Sequence, residues 1–108
     1  MTDEDKNLLE LAAKAAGLPD YFEGMVSSTK DASLHVWNPL QNDGDALQLA
    51  VKLHLSVKIW AGSSLHKQGV TIVEHDNVVV EFLHNSDPYT ATRRAIVHAA
   101  AEIGKAHQ

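Results

Sequence analysis

The chain reads as an α+β domain. Its predicted core is a single antiparallel or mixed sheet of four to five strands layered with three helices, an α/β/α sandwich. Three observations predict this class. Helical apolar spacing bounds the chain at both ends and recurs once near its middle. Short alternating or β-branched runs fill the intervals. Helices and strands alternate only in part, which disfavours a doubly wound parallel sheet.

The first helix is expected from about Asp3 to Ala16. Thr2 and Asp5 have capping-box spacing, and Asp3, Glu4 and Asp5 suit the positive end of the helix dipole. Leu8, Leu11, Ala12 and Ala15 share a face opposite Asn7, Glu10 and Lys14. Gly17 stops the helix and Pro19 prevents its continuation. A hairpin is expected from Tyr21–Val26 and Ser33–Trp37, with a turn at Ser27–Asp31. Asn38-Pro39 ends its second strand, because proline pushes its predecessor toward extended geometry and offers no donor.

The second helix is expected from Asp43 or Gly44 to Leu53 or His54, capped by Asp43. Apolar residues cover more than half its circumference, which predicts deep packing. Val57 and Ile59 alternate with Ser56, Lys58 and Trp60 in the next strand. Gly62–Gly69 reads as a loop, and Asp76-Asn77 as a tight turn between strands Val70–His75 and Val78–Leu83. The last strand is apolar on both faces, which predicts a central, doubly covered position. The third helix opens at Ser86-Asp87-Pro88, capped by Asp87, and runs to about Lys105.

At 108 residues the chain is expected to be one domain, residues 1–108. It contains no cysteine, so disulfides, thiolate metal sites and cysteine nucleophiles are excluded. The net charge of −5 weighs against nucleic acid, and a DNA mimic would be more acidic still. The N-terminus is acidic where a signal peptide is basic, and no run nears the roughly 20 apolar residues of a membrane span. The expected setting is soluble and cytoplasmic, in a bacterial host cell.

Trp37-Asn38-Pro39-Leu40, then Asp43-Gly44-Asp45-Ala46-Leu47 and Leu49-Ala50-Val51-Lys52-Leu53, resembles the phage ABA-sandwich domain, a family frequent in tailed bacteriophages and prophages. Thr92–Val97 and Ala99–Gly104 resemble its closing helix, and Leu8–Gly17 its opening one. The resemblance spans nearly the whole chain, strongest over 37–53 and weakest over 56–83. It implies a layered α/β/α domain of phage or prophage origin. It implies no reaction, cofactor or ligand.

The chemistry-bearing residues each have a bland reading beside the functional one. Seven histidines include the evenly spaced His66, His75 and His84, weak candidates for a metal site if they converge. Exposed strand-end or loop positions are the favoured reading of them. His75 with Glu74, or His84 with Glu81, has the types for acid–base chemistry, but Glu74 and His75 are strand neighbours and point to opposite faces. No catalytic residue is assigned. Asn42-Asp43-Gly44-Asp45 lacks the ligand series of a calcium loop and is better read as a cap. Arg93 and Arg94 open a helix where the dipole prefers acids, so they are candidates for phosphate or a partner carboxylate, against a salt-bridge reading. Trp60 and Tyr89 are aromatic candidates for a partner contact, against core packing. The sequence favours a non-enzymatic accessory protein that binds a host or phage protein, with self-association as homodimer open. A nucleotide- or phosphate-binding protein is the alternative, and a small hydrolase or histidine-metal protein comes after it. No cofactor is expected.

Overall fold

The computed structural model describes residues 2–18, 21, 25–27, 34–60, 69–85 and 87–106. In chain order they form α1 (Asp3–Ala15), β1 (Met25–Ser27), β2 (Leu34–Val36), α2 (Asp43–Lys52), β3 (Ser56–Trp60), β4 (Val70–His75), β5 (Val78–Leu83) and α3 (Pro88–Ala106). The α+β class and the order of elements match the sequence reading. The turn expected at Ser27–Asp31 and the loop expected at Gly62–Gly69 lie mostly outside the described residues, as do His66, Pro19 and Ser86.

Local chemistry sets the helix ends. Thr2 Oγ1 accepts the Asp5 N–H at 3.0 Å and caps α1. Gly17 closes it at φ 70°, with the Leu18 N–H reaching back to the Ala13 carbonyl at 3.0 Å. The cap of α2 is Asn42 rather than Asp43. Asn42 Oδ1 accepts the Asp45 N–H at 2.8 Å. The shift arises in the preceding turn, where Asn38 Oδ1 accepts from the Leu40 N–H at 3.1 Å and the Asn38 carbonyl accepts from Gln41 and Asn42. At the far end, His54 takes the left-handed conformation (φ 55°) that glycine usually fills, while Leu55 N–H bonds the Ala50 carbonyl at 2.9 Å. Asp87 caps α3 as expected, accepting from the Tyr89 and Thr90 N–H groups.

The strands depart from the expected sheet. β3, β4 and β5 form a three-stranded antiparallel sheet in that order, while among the described residues β1 and β2 pair with each other alone. Among the described residues there is thus no single sheet of four to five strands. The expected hairpin does form, with Met25 opposite Val36 and Ser27 opposite Leu34. The Asp76-Asn77 turn joins β4 to β5, with Asp76 at φ 49°. β4 is the central strand and β5 an edge strand, reversing the expected placement of Val78–Leu83. Val79 and Leu83 remain 65% and 55% exposed. The two-sided apolar pattern arises because Val78, Val80 and Phe82 pack on the core while Val79 and Leu83 belong to an open face.

The helices gather on one side of this sheet. α3 packs on β4 and β5, and α1 and α2 pack on α3. Among the described residues, layering with helices on both faces is therefore not seen. Thr71 and Val73, on the inner face of β4, are fully buried, as are Ala95, Val97 and Ala99–Ala101 of α3. Alanine gives α3 a slender profile, so neighbours approach it closely. At Gly104 a Cβ would overlap the carbonyl oxygen of Leu11 on α1. The deep packing expected of α2 is confined to Ala46, Leu49 and Ala50, because α3 is its main neighbour among the elements. Leu47 and Val51 are 64% and 65% exposed.

Two substitutions test this frame by thermal and denaturant unfolding. Gly104→Ala is expected to lose about 1–3 kcal/mol, since neither helix backbone can yield without repacking the interface. His54→Gly is expected to gain roughly 1 kcal/mol by relieving the left-handed residue.

Candidate functional site

The described surface holds a groove of about 680 Å³ between α2, β3 and α3. Ala46 and Ala50 of α2, Val57 of β3, and Thr92 and Ile96 of α3 line it, with Leu47, Ile59 and Tyr89 also on its walls. Leu47, Ile59 and Tyr89 are 64%, 62% and 69% exposed. Its volume lies within the range of small-molecule pockets, and its lining is mainly apolar. Each wall follows from local structure. α2 turns its small residues toward α3, leaving Leu47 to overhang. The alternation of β3 aims Val57 and Ile59 toward the groove and Trp60 away from it.

Asp43 and Arg93 form the charged part of the lining. Arg93 Nη1 donates to Asp43 Oδ1 at 2.7 Å, Nε to the Leu40 carbonyl at 2.9 Å, and Nη2 to Thr90 Oγ1 at 3.1 Å. The guanidinium is thereby held in one orientation, tying α3 to the loop and first turn that launch α2. Arg94 is tied likewise, with Nη2 2.8 Å from Asp5 Oδ1 in α1. Both arginines thus make intramolecular salt bridges. The Asp–Gly–Asp segment is spent similarly: Asp43 meets Arg93, and Asp45 Oδ2 accepts the Asn38 N–H at 2.9 Å.

A smaller cleft of about 390 Å³ brings Arg94 beside His84, Asn85, Asp87 and Thr90. Asp87 caps α3 there, and its carboxyl is held below the usual carboxylate range by hydrogen bonds from the Thr90 side chain and backbone. A carboxylate in that position opposes an anionic ligand. His84 is buried, with Nε2 2.8 Å from Thr71 Oγ1, which in turn lies 2.8 Å from Thr92 Oγ1. Gly69 packs so tightly beside it that a Cβ would overlap the imidazole and the Trp60 carbonyl. His75 lies 3.6 Å from Asp76, and Glu74 instead meets Lys58 at 3.7 Å. The geometry therefore brings neither histidine to the acid considered for it. Among the described residues no group of three His, Asp or Glu side chains is placed to hold a metal ion.

Trp60 is 58% exposed, but alternation places it on the sheet face opposite Ile59 and the Tyr89-lined groove. The two aromatic candidates therefore sit on different surfaces. Trp37 is in the core, edge-on to Tyr21 with ring centroids 5.5 Å apart. Sequence reading missed Leu47 and Ile59 as groove residues. The usable signal was an excess of apolar residues on α2 beyond what one neighbouring helix covers.

His98 lies on α3 with its ring 4.9 Å from that of Phe82. Burial lowers its pKa, with a further push from the Arg94 charge, against the opposing pull of Glu4, Asp5 and Glu102. No helix of the described residues is long and apolar enough to cross a membrane. Comparison with protein-family models, with curated proteins and with solved structures returned no significant match to the chain.

Two outcomes check these assignments. Arg93→Lys is expected to lose about 1–3 kcal/mol of unfolding free energy, because an ammonium cannot serve three acceptors set out for a planar fork. The exposed Asp43 partner keeps the loss toward the lower end. His98 has a folded pKa below its unfolded value, so the unfolded chain binds more protons between the two. Its contribution is complete above the unfolded pKa near 6.5 and declines as pH falls through that value toward the folded one. Unfolding midpoints measured across pH 4–8 should show a shallower acid limb in His98→Gln.

Proposed function

We propose that this chain is a non-enzymatic accessory protein of phage or prophage type that acts in the host cytoplasm by binding a protein partner through the α2–β3–α3 groove. The observation that carries the reading is the groove itself. Three large apolar side chains, Leu47, Ile59 and Tyr89, stand exposed around a small-residue floor. Exposed apolar surface gathered around a concavity is what an interface core requires, and tyrosine is enriched among residues that dominate binding energy. Arg93 supports the site from one part of its wall by fixing where α2 starts. The phage association rests on the resemblance over 37–53 and 91–104. The mechanism is occlusion, in which a preformed surface covers a functional site on the partner.

The groove volume supports a second reading, a small-ligand binder. The lining suits an aromatic or aliphatic body better than a phosphate, since Arg93 in its wall is already paired with Asp43.

Affinity capture from infected bacterial cells separates these readings. A stoichiometric protein partner is expected on the native chain. Leu47→Glu and Tyr89→Ala should each weaken it at least tenfold with unchanged melting temperature, as for hot-spot residues. Glu81→Lys on the opposite sheet face should retain it. Equal capture by all variants would dismiss the groove as the interface. A melting shift produced by a co-purifying small molecule, lost in Leu47→Glu, would favour the second reading.

A further inference from the structure

The sheet face that turns away from the helices is self-complementary. Its rows run across β3, β4 and β5 as Trp60–Val70–Leu83, Lys58–Ile72–Glu81 and Ser56–Glu74–Val79. Trp60, Leu83 and Val79 are more than half exposed, and Lys58 and Glu81 are exposed as well. In the middle row a cation and an anion stand at opposite edges with an isoleucine between them. Two strand spacings separate their backbones by about 10 Å.

We propose that this face packs on the same face of a second copy of the chain, about a twofold axis running along β4. That axis carries β3 of one copy over β5 of the other. Lys58 then faces the second copy's Glu81, Trp60 faces Leu83, and Val70 and Ile72 meet their own counterparts on the axis. The other in-plane axis, across the strands, would set Lys58 against Lys58, so the charges select the first. The result has an apolar centre and a charged rim, as interfaces do. Glu74 meets its counterpart near one end of the axis, where the roughly 30° crossing of aligned sheets splays the strands apart. Its charge is also offset within its own chain by Lys58 at 3.7 Å. The footprint, three strands by five residues or about 10 by 17 Å, is small. The dimer is therefore weak, with a dissociation constant on the order of micromolar or above. This surface is separate from the groove and does not rest on the function proposed for it.

Sedimentation equilibrium up to millimolar concentration tests the dimer directly. The native chain should show a reversible monomer–dimer equilibrium. Lys58→Glu and Glu81→Lys alone should each weaken it at least tenfold, because each sets like charges across the axis. Mixed in equal amounts, the two variants should associate again, since one copy then carries two glutamates and the other two lysines at the facing positions. A strictly monomeric native chain would overturn the proposal, leaving this face for a foreign protein. So would undiminished dimers of both variants, which would point to strand-edge pairing, and so would a mixture that stays monomeric. Should either variant fail to fold by circular dichroism, quenching of native Trp60 by acrylamide decides the matter, with Trp60→Phe as reference. Trp60 should become shielded as concentration rises, and constant accessibility across the range would overturn the dimer.

Discussion

The closeness of α3 to its neighbours is the constraint on which the rest of this fold depends. α3 lies between the sheet and α1, and it is buried along most of its length. A helix in that position must be thin. Ala95, Ala99, Ala100, Ala101 and Gly104 make it so, and at Gly104 the α1 backbone itself fills the space a side chain would need. Short side chains bury little area each, so stability comes from backbone proximity and from the larger residues that close in around them, Leu8, Leu9, Leu11, Val73 and Val97. α2, packed against the same helix, inherits its position from α3, and the groove is the space left where α2, α3 and β3 do not meet.

Arg93 and Arg94 of α3 show how side chains of one helix tie down the starts of two others. They stand in the second turn of α3, beyond the reach of the dipole at its start. Here each guanidinium leaves its own helix and lands on an acid in the first turn of another, Asp5 of α1 and Asp43 of α2. Those acids are well placed for their own helix dipoles, so each serves both its own helix start and the tie to α3. Two ion pairs thus link the outer helices to the central one.

Features governed by neighbours in sequence were legible. The Thr2 and Asp87 caps, the Gly17 stop, the Asp76-Asn77 turn and the bounds of β4 and β5 follow from short-range chemistry, and the structure carries all of them. The expected Asp43 cap is off by one residue, because the Asn38 turn competes for the same stretch of backbone. Features governed by what lies across space were not legible. An apolar residue looks alike in sequence whether it faces a core or an open surface, so Val79 and Leu83 suggested a central strand and Leu47 and Val51 a buried helix. The same ambiguity hid the groove, since its walls are residues that pattern alone assigns to the interior. Arg93 and Arg94 read as opening a helix, but they lie in its second turn, and their partners are 50 and 89 residues away in the chain.

The buried link between His84, Thr71 and Thr92 has a direction as well as a strength. A hydroxyl that donates to one neighbour accepts from the other, so the polarity of the whole chain is decided at the imidazole. With hydrogen on Nε2, the ring donates to Thr71 and the sense runs from loop to strand to helix. With hydrogen on Nδ1, it runs the other way, from Thr92 through Thr71 into the ring. One tautomer choice, made beside Gly69 at the end of β5, thus orients the dipoles of two hydroxyls joining the sheet to α3. The joint has two internal arrangements of hydrogen for a single arrangement of heavy atoms.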